Sequence, residues 1–366
     1  MDALSAFAFL PSPFCLHLSA FTFLPSRRSA FVIPPLPPFC LEFLPFCLPA
    51  LLPFRSLMPR AVRVALLAGG VAVIVVLVRQ VGIASVADLL RRVGPALAVV
   101  SALYFAHIAV RAAALWRSVD GLSYADVLRV RLSGEAIEML TFTGPFLAEP
   151  AKGWLLTKQG LSGAAAFGGV AVEYLVYTLT SAWMAAGALS LLLGRGVLPL
   201  GLRRPAVGIV AAMALFTLGF AAAAATGVGL IAPIVRGVGA KAAAIRIDPV
   251  ERVMVGFMHR EPRRLAQVIA IELAGQLLLA AEIFVTVRAL GFAWSALDAL
   301  VVEGSVKFIT IAFFFVPGQL GASESVYTLL FSSMGLPGAV GLTMALVRRV
   351  RALVVAAIAL GAASAL

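Results

Sequence analysis

The stretch AAAFGGVAVEYLVYTLTSAWMAAGALSLLL, residues 164–193, decides the fold class of this chain. Its only charged residue is Glu173. A helix needs about 20 residues to cross the hydrocarbon core of a bilayer, and this stretch is longer than that. Because lipid offers no hydrogen-bond partner, the backbone of such a stretch must satisfy its polar groups internally, as a helix does. The stretch therefore predicts a helix that spans a membrane.

The rest of the chain has the same apolar character. Hydrophobic residues make up 62% and charged residues 13% of its 366 positions, whereas soluble domains have roughly half and a quarter. Apolar stretches of similar length recur at residues 61–78, 94–115, 205–231, 265–290 and 338–363. The composition and these stretches predict an all-α polytopic membrane protein.

The net charge of +12 indicates contact with the membrane surface. Most Lys and Arg residues stand in short loops between apolar stretches, where they orient helices and contact anionic lipid head groups. No basic module with interleaved aromatic residues is present, so we expect no nucleic-acid partner. The three cysteines form no CxxC pair and the three histidines are far apart in sequence, so we expect neither a metal site nor a cofactor.

The first 57 residues differ in composition from the rest. They hold ten of the 21 prolines and ten of the 24 phenylalanines, and so many prolines would break any helix. Met58 then opens the first apolar stretch, with basic residues before it. We predict that residues 1–57 are an extension, either a mis-assigned start or a disordered Pro-rich tail, and that residues 58–366 form a single transmembrane domain.

Two further apolar segments, residues 126–163 and 295–337, are interrupted by Gly, Pro and carboxylate residues. The interruptions read TGPFLAEPAKG and VPGQLGASES, and their carboxylates Glu149 and Glu324 lie 175 positions apart. Interrupted segments at corresponding positions of two halves are typical of transporter binding sites. The sequence thus predicts six full spans and two re-entrant hairpins, which is eight membrane segments arranged as an inverted repeat.

The basic residues predict the orientation in the membrane. With two re-entrant hairpins, both termini lie on one side, and that side carries most of the Lys and Arg residues, including those of the basic loop 233–264. The termini are therefore expected in the cytoplasm of a bacterium, with the chain in the inner membrane. If both interrupted segments cross fully, eight full spans result and the same bias favours termini outside.

Charged residues within the apolar stretches are the candidates for a binding site. Charge inside a bilayer is costly, so each such residue needs a partner or a function. Arg348 lies ten residues into its stretch, about 15 Å along a helix, which is near the bilayer midplane. Glu324 is its expected partner, since the second hairpin would carry it to a similar depth. Such residues either fix the register of helices through buried salt bridges or form a polar cavity for a charged head group.

Two motifs resemble the signatures of the lysylphosphatidylglycerol synthase transmembrane-region family. The first is GPFLAEPAKGWLLTKQGLSGAAAFGGVAVEY, with Glu149, Lys152 and Glu173 at the matching positions. The second is VPGQLGASESVYTLLFSSMGLP followed by Arg348. The resemblance implies a flippase-like membrane domain that moves lipids such as aminoacylated phosphatidylglycerol or hopanoid-type lipids. It also implies a stand-alone member, since the soluble synthase domain would follow the last span.

The function expected from these observations is the binding and translocation of a polar-headed membrane lipid. The chain has no GxxxxGK[ST] motif for ATP, and we do not expect an enzyme. The alternatives are an intramembrane lipid-modifying transferase and an accessory subunit of a lipid-biosynthesis complex. The expected partners are membrane lipids, and the oligomeric state is open. The residues expected to bind the lipid are Glu149, Lys152, Glu173, Glu272, Gln276, Lys307, Gly318, Glu324, Arg348 and Arg351.

Overall fold

The computed structural model describes residues 91–140, 145–196, 200–229, 231–237, 241–312 and 322–363. These residues are helical with short connections, and no strand occurs among them. The helices are α1 (Ala96–Ser118), α2 (Tyr124–Leu140), α3 (Pro145–Lys158), α4 (Gly163–Gly194), α5 (Leu200–Thr226), α6 (Ile231–Gly237), α7 (Lys241–Arg260), α8 (Pro262–Ala289), α9 (Ala296–Ala312), α10 (Ala322–Ser333) and α11 (Gly338–Ala363).

Four of the described helices are long and apolar enough to cross a membrane. They are Ala96–Ser118, Gly163–Gly194, Arg203–Thr226 and Pro262–Ala289. Each coincides with a predicted span, so these predictions are confirmed as helices. The predicted span at 338–363 is also one helix, α11, but it carries three arginines near its middle. The extension 1–57 and the predicted span 61–78 lie outside the described residues.

The surface of α5 shows which solvent the fold is built for. Large apolar side chains of this helix are exposed, among them Leu215 at 68% and Leu218 at 65%. A soluble protein rarely leaves such a continuous apolar face in water. The exposed face of α5 fits contact with lipid tails, and the described chain is that of a multi-pass membrane protein.

Both interrupted segments are divided into two helices. The first contains α2 and α3, and the second contains α9 and α10. The motif around Glu149 is helical, and Pro145 occupies the first position of α3, where its missing N–H costs nothing. Glu149 therefore lies in the second turn of α3, and Glu324 lies in the first turn of α10. The predicted hairpin tips at Gly144 and Pro317–Gly318 fall outside the described residues.

The two segments begin with the same capping arrangement. The Ser123 hydroxyl donates to Asp126 at 2.6 Å and accepts from the Asp126 N–H at 3.2 Å. Ser295 and Asp298 make the same two bonds, at 2.5 and 3.1 Å. A serine hydroxyl that accepts from an N–H of the first helical turn stabilises the start of a helix.

The two segments also end alike. Gly160 and Gly335 both have positive φ, 100° and 84°, and each is followed by a leucine. The N–H of that leucine donates to the carbonyl group five residues before it, at 3.3 Å after Gly160 and 3.0 Å after Gly335. This is the Schellman ending, which requires a left-handed residue and favours glycine. The shared starts and endings agree with the internal resemblance in the sequence.

The basic segment 233–264 is mostly helical, which corrects its prediction as a loop. It contains the end of α6 and all of α7. On α7, Glu251, Met254 and Met258 are buried and lie on one face, as residues three and four apart do. The buried Glu251 carboxylate accepts hydrogen bonds from the N–H groups of Ile231 and Ala232, at 2.5 and 2.7 Å, at the start of α6. The buried face of α7 and the cap that Glu251 provides hold the segment against the helical bundle.

Small residues bring the helix backbones close together. Helix α4 packs along α9, and a Cβ added at Gly304 of α9 would collide with the backbone carbonyl of Met184 on α4. At the contact between α10 and α11, a Cβ added at Gly341 would collide with the backbone of Tyr327. Close approach through small residues is typical of helix contacts in membranes. It also brings polar side chains of neighbouring helices within bonding distance.

Candidate functional site

The polar side chains of three apolar helices are spaced for one shared site. Residues four positions apart lie on the same face of a helix. The buried polar residues at this spacing are His107 and Arg111 on α1, Glu173 and Ser181 on α4, and Glu272 and Gln276 on α8, and the partly buried Tyr177 lies midway between Glu173 and Ser181. The three faces point toward one another, since α1, α4 and α8 contact each other.

Glu173 is the centre of the first group of ion pairs, which we call the Glu173 cluster. Its carboxylate lies 2.6 Å from Arg111 of α1, 3.2 Å from Arg131 of α2 and 3.3 Å from Lys152 of α3. Glu173 is fully buried, and the three cations are at most 6% exposed at their side chains. Three cations around one buried carboxylate need further negative charge nearby.

That negative charge comes from the helices of the first interrupted segment. Glu135, four residues after Arg131, pairs with it at 3.4 Å. Glu149, three residues before Lys152, pairs with it at 2.7 Å. With these two carboxylates the Glu173 cluster contains three cations and three carboxylates. Of its members, Glu149, Lys152 and Glu173 were predicted as site residues, and the structure brings them together.

Glu272 and Gln276 border this cluster. The Glu272 carboxyl group is 3.5 Å from the Nε of Arg111, and Gln276 donates to the Ser181 hydroxyl at 2.8 Å. Both oxygens of Glu272 and the side-chain oxygen of Gln276 accept no hydrogen bond from a donor among the described residues. On α1, His107 bonds to the Gly275 carbonyl group at 2.9 Å. The predicted residues Glu272 and Gln276 thus lie beside the Glu173 cluster.

A second group of ion pairs lies between α8, α9 and α11, and we call it the Arg348 cluster. Arg348 lies 2.5 Å from Glu303 and 3.6 Å from Glu282. Lys307 also contacts Glu303, at 3.4 Å, and Arg351 bonds to Glu282. The predicted residues Lys307, Arg348 and Arg351 therefore belong to one constellation.

The prediction that Glu324 pairs with Arg348 is wrong. Glu324 bonds to Arg349 instead, and Ser323 accepts from the same guanidinium at 3.3 Å. Successive residues on a helix point about 100° apart, because a turn takes about 3.6 residues. Arg348 consequently faces α8 and α9 while its neighbour Arg349 faces α10. Gly318, the remaining predicted site residue, lies outside the described residues.

Two tyrosines join the clusters into one network. Tyr104 donates to Glu135 at 2.5 Å, and the guanidinium of Arg351 stacks on its ring at 3.7 Å. Lys307 donates to the Tyr177 hydroxyl at 3.2 Å, while Arg111 stacks on that ring, also at 3.7 Å. Tyr104 and Tyr177 therefore each contact both the Glu173 cluster and the Arg348 cluster. We call the two clusters with these tyrosines the charged network.

The two clusters have the same pattern with opposite charges. Arg131 bonds to a carboxylate four residues later and to a carboxylate on α4. Glu303 bonds to an ammonium four residues later and to a guanidinium on α11. The positions that correspond, 172 or 175 residues apart, are Arg131 with Glu303, Glu135 with Lys307, and Glu173 with Arg348. The network therefore offers one end built around a carboxylate and another built around a guanidinium.

Sequence reasoning missed several members of the network. Arg111 and Glu135 were not considered, and Arg131 was counted only among the basic residues that predict the orientation in the membrane. A signal existed for each: Arg111 interrupts an apolar stretch, and Arg131 with Glu135 has the four-residue spacing of a helical ion pair. Among the residues that the structure describes, no three His, Cys, Asp or Glu side chains lie together in a way that could hold a metal ion.

Long apolar helices around a buried network of ion pairs define a multi-pass membrane protein. The lysylphosphatidylglycerol synthase TM region family matches residues 60–359 of the chain. The chain belongs to this family, whose shared part is a lipid-related membrane domain. No curated protein and no solved structure matches the chain. The matched range includes the whole charged network.

Proposed function

We propose that the protein binds a polar-headed membrane lipid and moves its head group across the bilayer. The observation that carries this proposal is the charged network, buried among helices whose other faces are apolar. Ionisable groups inside a membrane are costly and typically mark a substrate path. A single buried polar residue can fix helix register, whereas this network joins side chains from seven helices.

The chemistry of the two clusters suits a phospholipid head group. A phosphate that displaces the Glu173 carboxylate would meet Arg111, Arg131 and Lys152, and guanidinium groups bind phosphate through paired hydrogen bonds. Hydroxyl or amino groups of the head would meet carboxylates of the Arg348 cluster. Aminoacylated phospholipids carry both kinds of group. A hopanoid-type lipid with a polar head would use the carboxylates.

Our proposal includes the membrane arrangement predicted from the sequence. The paired starts and endings of the interrupted segments, together with the charge-reversed positions, support two repeats. In that arrangement the two segments are re-entrant hairpins entering from opposite faces of the bacterial inner membrane, with cytoplasmic termini. Movement of the repeats against each other would open the buried network to one face at a time.

Purified protein reconstituted in phospholipid vesicles tests the proposal. The probe is acyl-labelled fluorescent phosphatidylglycerol, with or without an attached lysine, and a membrane-impermeant quencher reports the fraction in the outer leaflet. We expect the protein to speed exchange between leaflets. The double variant Arg348→Gln with Glu303→Gln should remain folded, because no charge is left unpaired within that pair, yet lose the exchange.

A matched control replaces the surface pair Asp248 and Arg252 on α7 by Asn and Gln, which should leave exchange unchanged. Mass spectrometry of the recovered lipid separates translocation from chemistry, since a transferase would alter the mass of the probe. Normal exchange in the Arg348 and Glu303 double variant would contradict the proposal and leave the network a structural feature. An altered lipid mass would favour an enzyme.

A further inference from the structure

Glu272 stands out among the buried carboxyl groups of the network. It is fully buried on α8, yet neither oxygen accepts a hydrogen bond from a donor among the described residues. Its nearest cationic atom is the Nε of Arg111, at 3.5 Å, and that atom makes no hydrogen bond in the described part of the chain. A buried carboxylate without a hydrogen bond is costly, so its ionised form is poorly supported here.

A protonated Glu272 resolves this arrangement. Glu173 and Glu272 both lie against the guanidinium of Arg111, at 2.6 and 3.5 Å, so two buried carboxyl groups share one cation. Two carboxylates beside one buried guanidinium repel each other, and a proton on one of them removes that repulsion. Glu173 holds three cationic partners and thus stays ionised, which assigns the proton to Glu272.

The groups around Glu272 come from several helices. Helix α1 presents Arg111 and, one turn away, His107, which bonds to a backbone carbonyl group of α8. Helix α4 presents Glu173, and Arg131 of α2 pairs with Glu173 at 3.2 Å. Helix α11 contacts α8 further along, where Arg348 and Arg351 pair with Glu282. Helix α9 also packs on α8 and presents Glu303 and Lys307 to the same Arg348 cluster.

The charge balance of the network depends on this proton. Its cations are Arg111, Arg131, Lys152, Lys307, Arg348 and Arg351, and its carboxylates other than Glu272 are Glu135, Glu149, Glu173, Glu282 and Glu303. With Glu272 protonated, one positive charge is in excess. With Glu272 ionised, the network is neutral. The protonated network therefore favours an anionic guest, and the ionised network favours none.

We propose that Glu272 is a proton-binding site that couples lipid movement to proton movement. The proposal rests on the proposed translocation function and specifies its driving ion. A proton on Glu272 and an anionic head group enter the network together, and both leave when it opens to the other face. The proton goes from Glu272 to water on that face, and the carboxylate left behind takes over the balancing negative charge.

Infrared spectroscopy of the purified full chain tests the first half of this proposal without any lipid substrate. At neutral pH the wild-type protein should show the C=O stretching band of a protonated carboxyl group. The band should be lost in Glu272→Gln, an isosteric change that keeps the site neutral. The control is Asp248→Asn, since the Asp248 carboxylate is 38% exposed and pairs with Arg252 at 2.7 Å on the surface of α7. A spectrum that Glu272→Gln leaves unchanged overturns the assignment.

The vesicle assay tests the coupling. With acyl-labelled phosphatidylglycerol and a pH gradient, wild-type protein should move the probe faster from the acidic face than toward it, and reversing the gradient should reverse the preference. Glu272→Gln should abolish the preference. Wild-type exchange that ignores the gradient overturns the coupling while the proposed function stands. No exchange under either gradient contradicts the proposed function instead, and the infrared spectra still decide whether Glu272 carries the proton.

Discussion

Replacing Arg348 with glutamine removes the guanidinium that lies 2.5 Å from Glu303 and 3.6 Å from Glu282. Breaking a buried ion pair typically costs about 3–5 kcal/mol, because the remaining charge is left without a partner. Here Lys307 still contacts Glu303 at 3.4 Å, so part of the charge stays compensated. We expect the free energy of unfolding to fall by about 3 kcal/mol, the lower end of that range.

The double-mutant cycle measures the coupling energy between Arg348 and Glu303. Glu303→Gln alone leaves Arg348 with its longer contact to Glu282, and we expect a similar loss. In the double variant no charge of this pair remains, so the combined loss should be smaller than the sum of the single losses. We expect a coupling energy of about 2 kcal/mol, within the range for residues in one network.

The assay is unfolding in mixed detergent micelles, followed by circular dichroism as the denaturing detergent is increased. The control cycle uses Asp248 and Arg252, which lie 2.7 Å apart with side chains 38% and 73% exposed. An exposed pair four residues apart on a helix should couple by only about 0.3–0.5 kcal/mol. If the Arg348 and Glu303 losses add, or couple no more strongly than the control, the buried pair described here is not a stabilising contact.

Three further outcomes are expected. Gly304→Ala should lower the free energy of unfolding by about 1–3 kcal/mol, because the added methyl group collides with a backbone carbonyl of α4. The control is Gly187→Ala, whose methyl group meets open space and should be neutral or stabilising. Equal effects of the two substitutions would contradict the close approach of α9 to α4. Glu251→Ala should expose the start of α6 to proteolysis, since it removes the carboxylate that caps it; an unchanged digestion pattern would contradict the cap. Single cysteines at Arg195 and Arg246 should react with impermeant reagents from opposite faces, and labelling of both from the periplasm would contradict the inverted repeat.

The sequence by itself determined the class of the protein and much of its helical layout. Spans at 94–115, 164–193, 205–231 and 265–290 follow from apolar length alone, because a helix in lipid satisfies its own backbone. The family also followed from local motifs, and the match over residues 60–359 confirms it. Several members of the charged network, such as Glu173 and Arg348, could be named from the sequence because charge in an apolar stretch is visible there.

Only the tertiary structure decided which charges meet. Arg348 and Arg349 are neighbours in sequence, and a rotation of about 100° between them sends one to Glu303 and the other to Glu324. The role of Tyr104 as a bridge likewise depends on helices far apart in the chain. Helix formation depends on neighbours a few residues away, whereas the pairing of buried charges depends on how helices pack. Packing is set by close contacts between distant segments, such as that of Gly304 with α4, which no local pattern encodes.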